Sequence, residues 1–355
     1  MRSIVEKKKS DRKSLAFSGG IKMNVSIIPF KMVESIKDEW KELSKNQTIF
    51  QSYEWNVNYL KIKWGGGERN YICIVKDDNE DVVAILPITA FKRINKTNII
   101  ILGKNNYVDY GDIISKSVTK DILAATVDAI KKKFTNPTIE LQGIIENTKF
   151  QKLLEAEAIM TAEYKAVAVR IPYNADEYNA HLTKSTRQNL RTALNRMNTD
   201  GLSYRYEIYE GTIDKVLAEK LVNLHLKRNI EKNLTSSSIH NFLRKVKQNF
   251  VERYVSVIPV SMRSYKGSWY LIVYLNDIIV GYLYGLRDNN CIRVLQNCVD
   301  SDYRRYSPVF RACYDFITKE AIENNLEWLD FTSGDEDYKY KLNGKEMILY
   351  SYKIV

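Results

Sequence analysis

The chain has 355 residues, 45% hydrophobic and 27% charged, with 54 Lys and Arg against 43 Asp and Glu and a formal net charge of +11. That length exceeds what one hydrophobic core ordinarily organises, so two domains are expected, and the balance is that of a globular protein, not a disordered or fibrous one. No run approaches the roughly 18 consecutive apolar residues of a membrane helix, and no apolar signal-peptide core follows the basic N-terminus, so a soluble, cytoplasmic protein is expected.

Part of the positive charge sits in residues 1–22, "MRSIVEKKKSDRKSLAFSGGIK", where seven Lys and Arg face two acids. Such a segment reads as a disordered basic tail. The stretch "GGIKM" can be encoded by a purine-rich ribosome-binding site, so Met23 is the expected native start. The four cysteines, Cys73, Cys291, Cys298 and Cys313, lack metal-site or redox spacing and sit in apolar contexts, so buried free thiols and no metal are expected.

From Met23 the pattern alternates strands and helices. "NVSIIPF" reads as a strand, "VESIKDEWKELSKN" as an amphipathic helix, and "YEWNVNYLKIKW" as a second helix stopped by Gly65-Gly66-Gly67. "NYICIVKD" and "DVVAILPITAF" read as strands around a turn at Asp78-Asn79-Glu80, followed by the strand "NIIILG", the helix "TKDILAATVDAIKKKF" and the strand "TIELQG". The C-terminal half repeats that order. "SWYLIVYL" and "IIVGYLYGLR" flank Asn276-Asp277, "CIRVLQNCV" is a third strand, "SPVFRACYDFITKEAIENN" a helix and "LEWLDF" the next strand. The repetition argues for a duplicated α/β unit.

Between the halves, Asp176–Gly201 reads as one helix closed by glycine. Leu182, Leu190, Ala193, Leu194 and Met197 form its apolar stripe, with Lys184, Arg187 and Arg191 beside it. Those three cations are either a solvated face or a ridge that holds an anionic part of a substrate. Gln296 and Asn297 lie mid-strand among apolar residues, where each amide needs a partner: a structural network or an acceptor substrate. Gly65-Gly66-Gly67 is no phosphate loop, because no Gly-Lys-Ser/Thr follows. The 24 tyrosines are spread through both halves without a basic-aromatic motif and read mostly as core residues, not base-stacking platforms.

The stretches "FQSYEWNVNYL", "LGKNNYVDYGDII", "KSTRQNLRTALNRM", "LVNLHLKR", "YRRYSPVFRACYDFITKEA" and "LDFTSGDEDYKYKL" follow one another from Phe50 to Leu342. In that order they resemble the CelD/BcsL-like branch of the GNAT superfamily, related to the Fem-type peptidyltransferases. The resemblance implies an α/β fold of two tandem GNAT-like units, with mixed sheets flanked by helices. The expected division is 23–172 for a structural N-terminal half and 173–355 for linking helices and a catalytic C-terminal half. It implies acyl transfer from acetyl-CoA or another acyl-CoA to an amine, with an amino group on a nucleotide-linked or lipid-linked sugar of a cell-surface polysaccharide precursor as the acceptor. Contact with a membrane surface remains open.

Several site residues follow from the resemblance. His225 and Arg228 of "LHLKR" become substrate-site candidates, joining Gln296, with its mid-strand amide, and Asp330, a carboxylate at the end of a strand. Two neighbouring parallel strands of a GNAT unit part to hold the pantetheine arm, here "CIRVLQNCV" and "LEWLDF". The helix starting at Ser307-Pro308, with Arg304 and Arg305, would seat a diphosphate, Ser307 acting as its cap. The family has glycine where this chain has Val309, and a β-branched residue hinders close approach of backbone to phosphate. That departure keeps open an aminoacyl-tRNA donor, as in the Fem relatives, and a non-catalytic binding role. The acidic stretch Asp335-Glu336-Asp337 is either a helix start or a carboxylate cluster that attracts a cationic amine and takes its proton, the clustering raising one member toward the range of a useful base. Asp335 or Glu336 is the expected base, Tyr338 the proton donor to the departing thiolate, and Lys339 a counter-charge for an acidic donor.

Overall fold

The strand "SWYLIVYL" is buried at all of its positions, which only a sheet covered on both faces allows. In the computed structural model, which describes residues 23–58, 69–103, 108–232 and 257–355, that sheet has twelve strands. They are β1 (Asn24–Pro29), β2 (Asn70–Lys76), β3 (Val82–Arg93), β4 (Lys96–Ile101), β5 (Pro137–Ile145), β6 (Ile159–Arg170), β7 (Tyr204–Glu210), β8 (Ser268–Leu275), β9 (Ile278–Asp288), β10 (Cys291–Val299), β11 (Trp328–Ser333) and β12 (Lys345–Ile354). Their order in space is β1-β2-β3-β4-β5-β12-β6-β11-β10-β9-β8-β7. The N-terminal tail, the end of the second helix with Gly65-Gly66-Gly67, and His240 lie outside the described residues.

The expected repeat is visible in the pairing. Strands β1 to β4 form an antiparallel meander, helix α3 (Lys120–Lys133) follows, and β5 returns parallel to β4. Strands β7 to β10 form a second meander, helix α9 (Pro308–Thr318) follows, and β11 returns parallel to β10. Asn276 and Asp277, at φ 47° and 64°, make the left-handed two-residue turn that matches the twist of a hairpin. The two units are stitched together by exchanged strands. β12, the last strand of the chain, lies between β5 and β6, and β6 pairs on its other side with β11. Sequence patterning signalled none of β6, β7 and β12.

Asp176–Gly201 is not a single helix. It divides into α5 (Ala175–His181) and α6 (Lys184–Thr199) because the Thr183 hydroxyl accepts the Thr186 N–H and caps a new helix start. One sheet face of the second unit packs on α5, α6 and α9 through Tyr178, Leu190, Met197 and Phe316. The other face carries α7 (Lys215–Lys232) and α8 (Val257–Ser264), with Phe50, Trp55 and Tyr110 brought across from the first unit. All four cysteines are buried and free. Among the described residues no helix is long and apolar enough to cross a membrane.

Candidate active site where two strands part

β10 and β11 pair over three residues, Cys291–Arg293 against Trp328–Asp330, and then separate. Both strands kink at the fork: β10 shifts register between Val294 and Gln296, and β11 between Asp330 and Ser333. Thr332 sits at φ 50°, a left-handed conformation that a β-branched residue rarely adopts. Two hydrogen bonds hold it there, from Thr332 N–H to Asp330 Oδ1 at 2.8 Å and from its hydroxyl to the Val294 carbonyl at 2.8 Å. Asp330 also meets Arg293 at 2.5 Å and accepts the Tyr110 hydroxyl at 2.8 Å, and it is only 2% exposed. The expectation of Asp330 as a substrate ligand is therefore corrected: its oxygens are engaged in holding the fork.

The first unit has the same fork, filled by its own chain. β4 and β5 pair from Thr97 to Ile100 and then part. The segment 108–114 enters the gap, with Gly111 N–H donating to the Gly143 carbonyl at 2.9 Å and Ile114 bridging to Ile85. A Cβ on Gly111 would stand 2.2 Å from the Gln142 carbonyl oxygen, and one on Gly143 2.2 Å from that of Asp109. Only glycine fits this close backbone approach. The backbone groups of Gly143 and Ile85 that border this gap are thus engaged.

The second fork keeps polar groups in reserve. Helix α7 places His225 and Arg228 one turn apart, facing the far half of β10. Arg228 Nη1 donates to the Asn297 carbonyl, while Gln296 Nε2 and Asn229 Nδ2 lie 3.2 and 2.7 Å from His225 Nε2. Tyr282 donates its hydroxyl to Gln296 Oε1 at 2.6 Å, which leaves the amide NH2 toward the ring. His225 Nε2 is then the acceptor and Nδ1 carries the proton of the neutral imidazole. Burial, with Arg228 adding to it, pushes His225 down to about 4, so the ring is neutral at pH 7. His225 Nδ1, Arg228 Nε and Asn297 Oδ1 are all buried with no hydrogen-bond partner among the described residues. Two N–H donors and one acceptor in one place are unusual, because a buried polar group left unpaired costs about 1–3 kcal/mol.

The acidic stretch follows β11. Asp335, Glu336 and Asp337 are exposed, and Asp337 opens a short helix, Asp337–Lys341. Glu336 pairs with Lys339 at 2.9 Å, and the charge of Asp335 acts on Lys165 and Tyr340. Tyr338 packs edge-on against Phe331 and faces the Asn297 side chain, and burial holds its phenol well above the ordinary range, hence protonated. Lys339, 2% exposed, donates to the carbonyls of Phe331, Ser333 and Gly334 at 3.0 to 3.1 Å. Its expected role as a counter-charge for a donor is corrected: the ammonium pins the loop from beneath. Asp109 of the first unit reaches the same loop, accepting the Ser333 hydroxyl at 2.8 Å, a contact no sequence spacing announced.

The start of α9 departs from expectation in three ways. Ser307 occupies the cap position in a left-handed conformation, φ 48°, and its side chain makes no capping bond. Arg304 and Arg305 are both exposed, but Arg305 is tied to Asp200 and Tyr306, whereas Arg304 forms no ion pair with a described residue. Val309 is 2% exposed and points into the core, so it does not obstruct a phosphate at the helix N-terminus. The proposed ridge on α6 also divides. Lys184 and Arg191 are exposed, whereas Arg187 donates to the carbonyls of Asn179 and Leu182 at 2.8 and 2.6 Å and closes the end of α5.

Residues 184–340 match the family model described as acetyltransferase (GNAT) domain, that of the CelD/BcsL-like proteins. No curated protein matches the chain by sequence. Among solved structures, a conserved protein of unknown function from Bacteroides thetaiotaomicron is 13% identical with TM-score 0.54, covering 90% of this chain and 97% of that one. FemX is 14% identical with TM-score 0.56, over 88% and 95% of the two chains. L-PGS from Bacillus licheniformis is 11% identical with TM-score 0.51, over 85% and 91%. These likenesses concern the fold. The parted strands of the second unit lie within the matched region, and residues 184–340 are a GNAT acetyltransferase domain of the CelD/BcsL-like family, carried in a chain of FemX-type fold.

Proposed function

We propose that the second unit transfers an acyl group from an acyl-CoA to an amine at the fork between β10 and β11. The observation that carries this reading is the set of three unpartnered buried groups beside the fork, His225 Nδ1, Arg228 Nε and Asn297 Oδ1. A GNAT domain implies an acyl-CoA donor in general. The two N–H groups suit a thioester oxygen, on which negative charge grows as the amine attacks. Asn297 Oδ1 suits an N–H of the attacking amine.

As the C–N bond forms and the C–S bond breaks, the amine loses a proton and the thiolate gains one. Tyr338, protonated and beside Asn297, is the proposed donor to sulfur. The exposed carboxylates Asp335 and Glu336, directly or through a water, are the proposed receivers of the amine's proton. Exposed Arg304 at the start of α9 gives the donor's phosphates a cationic approach, with Arg191 further along neighbouring α6, while Lys184, at the other end of α6, is left for an anionic part of the acceptor. An amino sugar of a polysaccharide precursor, handled in the cytoplasm, is the proposed acceptor, and this choice rests on the family resemblance.

The test is calorimetry with acetyl-CoA, followed by thiol release with a panel of amino sugars. Binding that a His225→Ala and Arg228→Ala pair weakens, with CoA release dependent on an amine, is the expected result. Absence of acetyl-CoA binding by the folded wild type overturns the reading. Binding of tRNA that falls steeply with added salt would instead favour an aminoacyl-tRNA donor.

A further inference from the structure

At the opposite ends of β10 and β11 from the fork, their first residues Cys291 and Trp328 form one wall of a cleft of about 530 Å³ between the two units. That volume lies in the range of small-molecule sites, which run from about 300 to 1,000 Å³. Gln47 and Asp112 of the first unit line its other wall, and Arg293 and Glu327 complete the charged lining with Lys45 and Asp288.

The charges do not cancel locally. Arg293 is engaged by Asp288 at 2.6 Å and Asp330 at 2.5 Å, so it offers little to any other anion. Asp112 and Glu327 form no ion pair with a described residue. Asp112 accepts the Ile113 N–H at 2.7 Å on one oxygen and Gln47 Nε2 at 3.3 Å on the other. Burial pushes Asp112 up to about 6, and no facing cation opposes that rise. Gln47 also donates Nε2 to the Ile113 carbonyl at 2.8 Å. That bond fixes the amide, so Oε1 is the atom left over, buried and without a partner among the described residues.

We propose that this cleft binds a small ligand carrying a protonated primary amine, with the Asp112 carboxylate as counter-charge and Gln47 Oε1 as a second acceptor. An ammonium brings three N–H donors and a positive charge, which meet the unpaired carboxylate and the orphan carbonyl together. A neutral ligand of the same size would leave Asp112 uncompensated. An anionic one would add to the charge of Asp112, Asp288 and Glu327. The site is separate from the acyl-transfer fork and does not depend on that reading.

The experiment uses the full chain and two matched probe pairs: ethanolamine against N-acetylethanolamine, and glucosamine against N-acetylglucosamine. Binding is read from the indole N–H resonance of Trp328, which lines the cleft, at probe concentrations up to about 10 mM, the range of weak fragment affinities. The expected result is a saturable shift with at least one ammonium member and none with its N-acetyl counterpart. Asp112→Asn should weaken binding about tenfold or more, Gln47→Leu should weaken it less, and Tyr338→Phe should leave it unchanged. Equal shifts from both members of each pair, or undiminished binding by a folded Asp112→Asn variant, would overturn the proposal. So would no shift with any ammonium probe. If binding emerges only in Lys45→Met, the chain's own lysine occupies the site, and the proposal fails.

Discussion

Val309 and Gly281 meet where α9 crosses β9: a Cβ on Gly281 would stand 2.5 Å from Val309 Cγ2. The valine therefore belongs to the helix-sheet contact, with the glycine making room for it. Val309→Gly is expected to cost about 2–3 kcal/mol, from lost burial and a glycine inside a helix, and to leave acetyl-CoA affinity no higher. Urea unfolding and calorimetry on the same preparation check both halves of this expectation.

His225 predicts a pH dependence of stability with a definite sign. Its folded value of about 4 lies below the ordinary 6.5, so the unfolded chain holds the proton more tightly. The contribution is complete above about pH 6.5 and declines as pH falls toward 4. Between pH 7 and 4.5 this one group should cost about 2–3 kcal/mol, and the His225→Gln variant should lack that part of the decline. Parallel urea titrations at the two pH values measure the difference, and identical slopes would mean that the ring already carries its proton in the folded protein.

Tyr338→Phe should lower kcat by about 10²-fold or more while acetyl-CoA still binds, because only the proton delivered to sulfur is lost. A more acidic thiol leaving group should narrow the deficit. A purely structural role for the hydroxyl would lower activity equally for both donors.

Two carboxylates five positions apart, Asp330 and Asp335, should behave in opposite ways. Asp330→Asn breaks a buried pair with Arg293 and weakens the support of Thr332, for an expected loss of about 3–5 kcal/mol. Asp335→Asn, on an exposed loop residue, should change stability by less than about 0.5 kcal/mol. Any large effect of the second change on turnover would then belong to the reaction.

Arg187→Glu should destabilise the protein, since its guanidinium holds two carbonyls at the end of α5, whereas Arg191→Glu should fold normally and raise the KM for a phosphate-bearing donor. Thermal melting and steady-state kinetics separate the two. An unchanged KM in the Arg191 variant would return that residue to a solvated face.

The repeated order of strands and helices was legible because β2, β8 and β9 have long buried, β-rich runs and the hairpins between strands carry turn residues. β6 was hidden because its first half is exposed on both faces, as its burial pattern shows, leaving no alternation to detect. β12 alternates only partly and finds its partners in the distant first unit. Within the site, His225 and Arg228 were named by family resemblance and Gln296 and Asn297 as mid-strand amides in need of a partner, and the structure brings the four together. Lys339, Asp330 and Arg187 looked available for substrate because sequence shows a charge but not the carbonyls or counter-charges that engage it. The break at Thr183 was readable in principle, as a threonine three residues before the N–H it caps, but continuous apolar periodicity across it outweighed that signal.

The exchange of β12 also bears on how the chain matures during synthesis. The first unit's sheet remains without the strand between β5 and β6 until residues 345–354 have been made. Until then the free edge of β5 resembles an unprotected template for any passing strand. Sequential completion of one unit before the other is therefore closed to this protein, and its slowest step should be the capture of a late segment by partners some two hundred positions earlier. Ribosome-bound intermediates should accordingly stay sensitive to protease near β5 until the last strand emerges.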